Sequence, residues 1–196
     1  MLCYLVRHGK DDDTIRGGWS NHGLTASGIV QVHELAKKMT ATNMKISCMY
    51  SSDLERAKET SRILADYLKC PIIFTAEFRE VNNGDLAGLK NELADDKYPG
   101  LYWAALEYEE SYPNGESPKM FFERIKTAWL EFKSKVVQPS EDVLLVTHGG
   151  VMEVILCIEN GVEFSNKTRH FSTPNAKAIP IKIQEIGGDK WNEPKT

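Results

Sequence analysis

The chain has 196 residues, 41% hydrophobic and 27% charged, with 24 Lys and Arg against 28 Asp and Glu for a formal net charge of −4. That length buries a sizeable core without disulfide or metal support. The mild acidity argues against a surface built for nucleic acid or anionic membrane, because no basic excess exists to neutralise phosphates.

No apolar run approaches the roughly 20 residues of a membrane span. The opening Met-Leu-Cys-Tyr-Leu-Val is too short for a signal-peptide core and has no basic segment before it. Cys3, Cys48, Cys70 and Cys157 show no CxxC or Cys/His ligand spacing, and read as reduced thiols of a cytoplasmic protein.

In chain order, strands and helices alternate. Leu2 to Val6 is a short apolar run that stops at Arg7-His8-Gly9 and reads as a buried strand. Thr25 to Met39 carries Ile29, Val32, Leu35, Ala36 and Met39 at helical spacing, with Thr25 as N-cap. Ile46 to Tyr50 is a second strand. Ser52-Asp53-Leu54-Glu55 reads as a capping box, since Ser52 and Glu55 stand three apart. The helix behind it puts Leu54, Ala57, Ser61, Leu64 and Leu68 on one face. Ile72 to Thr75 is a third strand.

Residues 84–116 break the rhythm with Gly, Pro, Tyr and acidic residues, and read as short helices and loops inserted into the alternating core. Ser117-Pro118 starts the next helix, with Pro at its first position, and Phe122, Ile125, Trp129, Phe132 and Val136 keep helical spacing. Val143 to Thr147 is a fourth strand that ends at His148-Gly149-Gly150, and Val151 to Ile158 is the helix behind it. Ala178 to Ile183 reads as an edge strand because it contains Pro180. The alternation predicts an α/β fold, a three-layer α/β/α sandwich around a mostly parallel sheet. The chain reads as one domain over 1–196, with 84–116 as a lid within it.

Ligands of such sheets bind beyond the carboxyl ends of the strands. Here one strand ends in Arg7-His8-Gly9, another in Ser51-Ser52 with Arg56 one turn on, and a third in Thr147-His148-Gly149-Gly150. If these ends are neighbours, two histidines and two arginines converge, and the helix after Gly149 adds backbone N–H groups. That is an anion site, and two guanidinium groups suit a tetrahedral phosphate. Each piece alone has a plain structural reading. Their joint occurrence is the signal.

Leu5-Val6-Arg7-His8-Gly9 resembles the signature of the histidine phosphatase superfamily, the phosphoglycerate-mutase-like fold. Gly18-Trp19, Leu24-Thr25, Gly28, the block Tyr50 to Ala57 with Thr60, Phe78-Arg79-Glu80 with Gly84, Asn114 to Ser117, Val146 to Gly150 and Pro174-Asn175-Ala176 continue the likeness in order. The resemblance implies that His8 is the nucleophile and carries a phosphoryl group transiently. It implies that Arg7, Arg56, His148 and Gly149 bind the phosphoryl oxygens, and that Glu80 is general acid and then general base. It implies no metal and no other cofactor. Thr14 lies where the family commonly has a phosphate-holding Asn, so a hydroxyl would serve there. Asp11, Asp12 and Asp13 form an acidic run beside the site and read as a solvated turn.

Asn83 to Lys90 partly resembles a stretch of bisphosphoglycerate-dependent mutases. A mutase lid needs extra positive charge, yet 84–116 holds no arginine and many carboxylates. Like-charge juxtaposition excludes a polyanion, so the sequence favours a phosphatase acting on a small phosphorylated substrate. The alternatives are a phosphoglycerate mutase and a turnover-deficient phospholigand-binding protein. The oligomeric state stays open, a homodimer included.

Overall fold

A computed structural model describes residues 1–136 and 141–183; the tail of the expected domain, 184–196, lies outside the described residues. The elements are β1 (Leu2–Arg7), α1 (Ala26–Ala41), β2 (Ile46–Ser52), α2 (Glu55–Leu68), β3 (Ile72–Thr75), α3 (Asn91–Lys97), α4 (Pro118–Val136), β4 (Asp142–Thr147), α5 (Gly149–Asn160) and β5 (Ala178–Lys182). The sheet order is β3-β2-β4-β1-β5. β1, β2, β3 and β4 are parallel, and β5 runs antiparallel against β1 at the edge. Pro180 sits on that edge, where a missing N–H costs least.

The central strands are apolar throughout because both faces are covered. Alternate residues of β4 feed different cores. Val143 and Leu145 join Cys3, Leu5, Phe121, Ile125, Trp129, Phe132 and Val151 under α4 and α5. Leu144 and Val146 join Val6, Val32, Ala36, Met49, Ala57 and Leu64 under α1 and α2. This is the expected three-layer sandwich. Among the described residues no helix is long and apolar enough to cross a membrane.

Residues 84–116 hold α3 and two single 3-10 turns. Leu86, Leu106 and Tyr112 form a small core there, with Tyr98, Leu101 and Trp103 against it. The acidity of the segment is half compensated. Asp95 pairs with Arg16, Glu107 with Lys167, Glu109 with Lys119 and Glu116 with Arg124. The expectation of a strongly repelling lid therefore weakens, because half of its eight carboxylates have a cation beside them.

Three local expectations are corrected. Ile29 is 40% exposed, and Gly28 takes its place on the buried face of α1. Phe121, not Phe122, is the buried aromatic at the start of α4; Phe122 is only partly buried, packing against the edge of that core and stacking on Phe164. Ser52 is not the cap of α2. The N-cap is Leu54, without a side-chain bond, and Glu55 is already helical. The Ser52 hydroxyl is engaged instead by a histidine, described below.

The turn after β1 is fixed by a close approach to α1. Thr25 caps the helix, its Oγ1 accepting from the Gly28 N–H at 3.1 Å and donating to the Lys10 carbonyl at 2.9 Å. A Cβ on Gly28 would run into that same Lys10 carbonyl, and one on Gly9 would come within 2.6 Å of the Gly28 oxygen. Ala normally stabilises a helix relative to Gly by about 1 kcal/mol. At Gly28 the sign should reverse. Gly28→Ala should cost about 2 kcal/mol and lower the thermal midpoint by about 5 °C, read by circular dichroism.

Candidate active site

β2, β4 and β1 are adjacent, so their carboxyl ends form one floor. The His8 backbone is pinned there on every side. Its N–H donates to the Thr147 carbonyl at 3.0 Å, its carbonyl accepts from Asn175 Nδ2 at 2.9 Å, and the next N–H, of Gly9, donates to Thr60 Oγ1 at 3.1 Å.

The His8 ring is buried, with Nδ1 2.7 Å from the Gly9 carbonyl. A carbonyl only accepts, so Nδ1 carries the hydrogen and Nε2 presents a lone pair. Arg56 Nε donates to that Nε2 at 3.3 Å. Arg56 itself is 2% exposed, and its other nitrogens donate to the Gly18 carbonyl at 2.7 Å and to the Ser20 carbonyl and hydroxyl at 3.3 and 3.4 Å. Burial, and next the Arg56 charge, push the His8 pKa well below its ordinary value of 6.5. His8 is thus a neutral imidazole with its lone pair aimed into an arginine-lined site.

His148 stands beside it, ring centroids 5.1 Å apart. Its Nε2 is 2.8 Å from Ser52 Oγ. The serine hydroxyl can donate there while receiving the Leu54 N–H at 3.3 Å. That assignment leaves the hydrogen on Nδ1, which is buried and has no partner among the described residues. Arg7 Nε is a second such orphan, while Arg7 Nη1 donates to the Thr173 carbonyl at 3.0 Å. Buried donors left unpaired are costly. An oxyanion received by Arg7, Arg56 and His148 would satisfy both orphans. The His148 pKa also lies well below its ordinary value, through burial first and the charge of Arg56 second.

Gly149 opens α5 against this cluster: a Cβ there would lie 3.3 Å from Arg7 Cζ and 3.3 Å from an Arg169 nitrogen. Glu80 closes the other side. Its Oε2 accepts from the Gly150 N–H at 3.0 Å and its Oε1 from the Val81 N–H at 3.1 Å. A Cβ on Gly150 would overlap Glu80 Oε1, so only glycine admits this carboxylate. Arg79 does not pair with Glu80. It forms a bidentate pair with Asp53, 2.6 Å on each side, and stacks over Trp19. Arg124 clamps the Glu80 segment from outside, donating to the carbonyls of Glu77, Arg79 and Glu80 and to both oxygens of Glu116.

Arg7, His8, Arg56, Glu80, His148 and Gly149 are therefore brought together. Thr14 is not. Its hydroxyl donates to Asp12 Oδ1 at 2.7 Å on the exposed loop. The acidic run divides: Asp12 and Asp13 are exposed, but Asp11 reaches Arg56 Nε at 3.5 Å. The solvated-turn reading holds for two of the three and fails for Asp11, whose carboxylate is drawn in by the buried guanidinium. Sequence reasoning missed three contributors. Ser52 was assigned to a cap. Arg124 reads as one more charge on an amphipathic helix. Arg169 lies in a polar loop without periodicity, held by the buried Glu153 carboxylate accepting from the His170 and Phe171 N–H groups at 2.6 and 3.3 Å. Among the described residues no group of three or more His, Cys, Asp or Glu side chains could hold a metal ion.

The sequence pattern of the histidine phosphatase superfamily (branch 1) matches residues 3–193. A 2,3-bisphosphoglycerate-dependent phosphoglycerate mutase of Bartonella henselae is 27% identical over 201 residues, covering 98% of this chain and 95% of the relative. Among solved structures, an α-ribazole phosphatase from Shigella flexneri superposes with a TM-score of 0.81 at 23% identity, over 94% of this chain and 92% of that one. A mycobacterial glucosyl-3-phosphoglycerate phosphatase in complex with VO3 does so at 0.76 and 22%, over 92% and 90%. At these identities the structural likeness speaks for the fold.

The two buried histidines make stability depend on pH. In the unfolded chain each binds a proton near its ordinary value of 6.5, and in the folded protein neither does until far lower. The unfolded state therefore binds more protons below that value, and stability falls as pH drops, by up to about 1.4 kcal/mol per histidine per pH unit. Urea midpoints at about pH 7.5 and about pH 5.5 should separate accordingly, and His148→Gln should shrink the gap. An unchanged gap would mean that His148 is charged in the fold.

Proposed function

The chain belongs to the histidine phosphatase superfamily, and from that premise we propose that it is a metal-independent phosphatase that hydrolyses a small phosphate monoester through phosphohistidine on His8. The observation that carries the reading is the tautomer lock. The Gly9 carbonyl holds the His8 hydrogen on Nδ1, and burial keeps the ring neutral, so Nε2 is a ready nucleophile.

In the first step the Nε2 lone pair forms a bond to phosphorus while the ester P–O bond breaks. Arg7, Arg56 and His148 Nδ1 meet the charge on the non-bridging oxygens, the main form of catalysis available to phosphoryl transfer. Glu80, entering as the carboxylic acid, gives its proton to the departing alkoxide. In the second step Glu80 takes a proton from water, the water oxygen bonds to phosphorus, and the P–N bond breaks to release phosphate and restore His8. Gly149 and Gly150 place the start of α5 against the same group.

A second reading, a bisphosphoglycerate-dependent phosphoglycerate mutase, is favoured by one observation. Arg169 adds a third guanidinium beside Arg7 and Gly149, where a second anionic group of a substrate could meet it. The two readings part on one assay. With EDTA present, the phosphatase releases inorganic phosphate from p-nitrophenyl phosphate and from a subset of phosphate monoesters. The mutase interconverts 3- and 2-phosphoglycerate only when primed with bisphosphoglycerate.

His8→Ala should lower phosphate release at least about a thousandfold while keeping the wild-type circular dichroism spectrum. Retained turnover would remove His8 from the nucleophile role. Glu80→Gln should slow alkyl phosphates about a hundredfold and p-nitrophenyl phosphate far less, because that leaving group scarcely needs a proton. Equal losses on both substrates would take the general-acid role away from Glu80.

A further inference from the structure

Arg56 Nε donates its single hydrogen to His8 Nε2 at 3.3 Å, and the Asp11 carboxylate forms an ion pair with the same nitrogen, Oδ2 at 3.5 Å. A phosphorus that comes within bonding reach of His8 Nε2 brings its non-bridging oxygens against that same N–H. Asp11 thus stands against the guanidinium nitrogen that a phosphoryl oxygen would approach. Its position is built into the fold. The Asp11 backbone bridges to Leu24, and its side chain is only 25% exposed. Neighbouring acids have other partners: Asp13 pairs with Lys10 at 3.3 Å, and Asp12 accepts from Thr14.

A carboxylate and a phosphate dianion cannot share one N–H donor without strong repulsion. When the phosphoryl group enters, the Asp11 carboxylate must leave Arg56 and face the rest of the substrate. Lys10 is already engaged by Asp13. Arg7 and Arg169 lie around Gly149, with the groups that receive the phosphoryl oxygens. No further cation among the described residues is bonded to Asp11.

We propose that Asp11 is a specificity-determining residue: phosphoryl entry drives its carboxylate off Arg56, and the site selects phosphate monoesters whose alcohol part carries an ammonium group that receives it. This rests on the phosphatase reading above. It adds the class of substrate, an aminoalkyl phosphate, and says why a second anionic group is disfavoured. The displaced carboxylate would meet that group at close range, and charge complementarity of this kind decides between competing ligands.

The test compares three esters of similar size: O-phosphoethanolamine, ethyl phosphate and phosphoglycolate, which add an ammonium, no charge and a carboxylate. Each is assayed with EDTA on the wild type, Asp11→Asn and Asp11→Ser. For the wild type, kcat/KM should fall in that order by about tenfold per step. Both variants should level the series, chiefly by lowering KM for phosphoglycolate. A wild type that does not prefer the ammonium ester overturns the proposal, and so do variants that keep the wild-type order.

p-Nitrophenyl phosphate is run alongside. If no ester at all is hydrolysed, the phosphatase reading itself has failed, and calorimetric binding of the same three esters decides the Asp11 question separately. Wild-type binding in the same order, levelled in Asp11→Asn, supports the role of Asp11. Equal affinities in the wild type, or an order unchanged by the substitution, overturn it.

Discussion

The structure turns on a buried guanidinium beside a neutral imidazole. Taking the charge of Arg56 out of water is affordable only if its hydrogens are received, and the chain meets that demand with backbone. The carbonyls of Gly18 and Ser20 accept from the terminal nitrogens, His8 accepts the Nε hydrogen, and the Asp11 carboxylate stands beside it as an ion pair. The 10–20 loop is therefore wrapped around Arg56 as much as it is attached to β1. This explains why a stretch with little apolar content is ordered, and why an acidic residue in it turns inward. Burial first, and the same guanidinium second, hold His8 neutral, so the interaction that shapes the loop also contributes to the protonation state of the ring.

Around that centre, positions are set by backbone acceptors and donors more than by side-chain pairs. Glu80 is held by two N–H groups, one of them at the start of α5. Its own segment is clamped by Arg124, tied to β4 through Thr147 Oγ1 on the Phe78 carbonyl at 2.9 Å, and contacted by Trp19 Nε1 on the Glu80 carbonyl at 2.7 Å. Contacts from three separate parts of the chain thus converge on four residues. Such a carboxylate is preorganised: little of its position depends on a flexible surface loop, and the cost of orienting it is met in folding and not at the moment of reaction.

How legible this was depended on how local each cause is. The strands announced themselves because continuous apolar runs are what a doubly covered sheet requires, and the ends of β1, β2 and β4 carried their polar residues in plain view. Thr25 as a cap was readable because its cause lies three residues away. Ser52 was misread for the same reason in reverse. The spacing to Glu55 suits a capping box, but a histidine 96 positions later takes the hydroxyl. Pairing across the fold overrides local grammar. Ile29 and Phe122 slipped by one helical position, an error inherent in a period of 3.6 read from identities alone. Arg169 was illegible as a site neighbour, and Asp11, though legible beside the site, reads as solvated, because nothing in a loop's composition says which way a charged side chain turns. The approach of the strand ends and the placing of Glu80 beside α5 became readable only through the likeness to a family.

The electrostatic balance of the site joins these points. Three guanidinium groups, Arg7, Arg56 and Arg169, stand with two carboxylates, Asp11 and Glu80, and two histidines that burial keeps neutral. Before a ligand enters, with both carboxylates ionised, the cluster holds a small positive excess, enough to attract one phosphate. A bound phosphate dianion reverses that sign, and the reversal falls on the Asp11 side, where the anion and the carboxylate face the same guanidinium. Protonating Glu80 for its role as acid removes one negative charge from the α5 side and brings the formal count to zero, but the repulsion between the phosphate and Asp11 beside Arg56 is local and remains. A substrate that brings a positive charge next to its phosphate offsets that local repulsion without any movement of the arginines. A substrate that brings a second negative charge needs Arg169 to compensate, at a distance and through solvent. On the proposed role of Asp11, the arrangement of charge is therefore what divides the esters this site would hold from those it would repel.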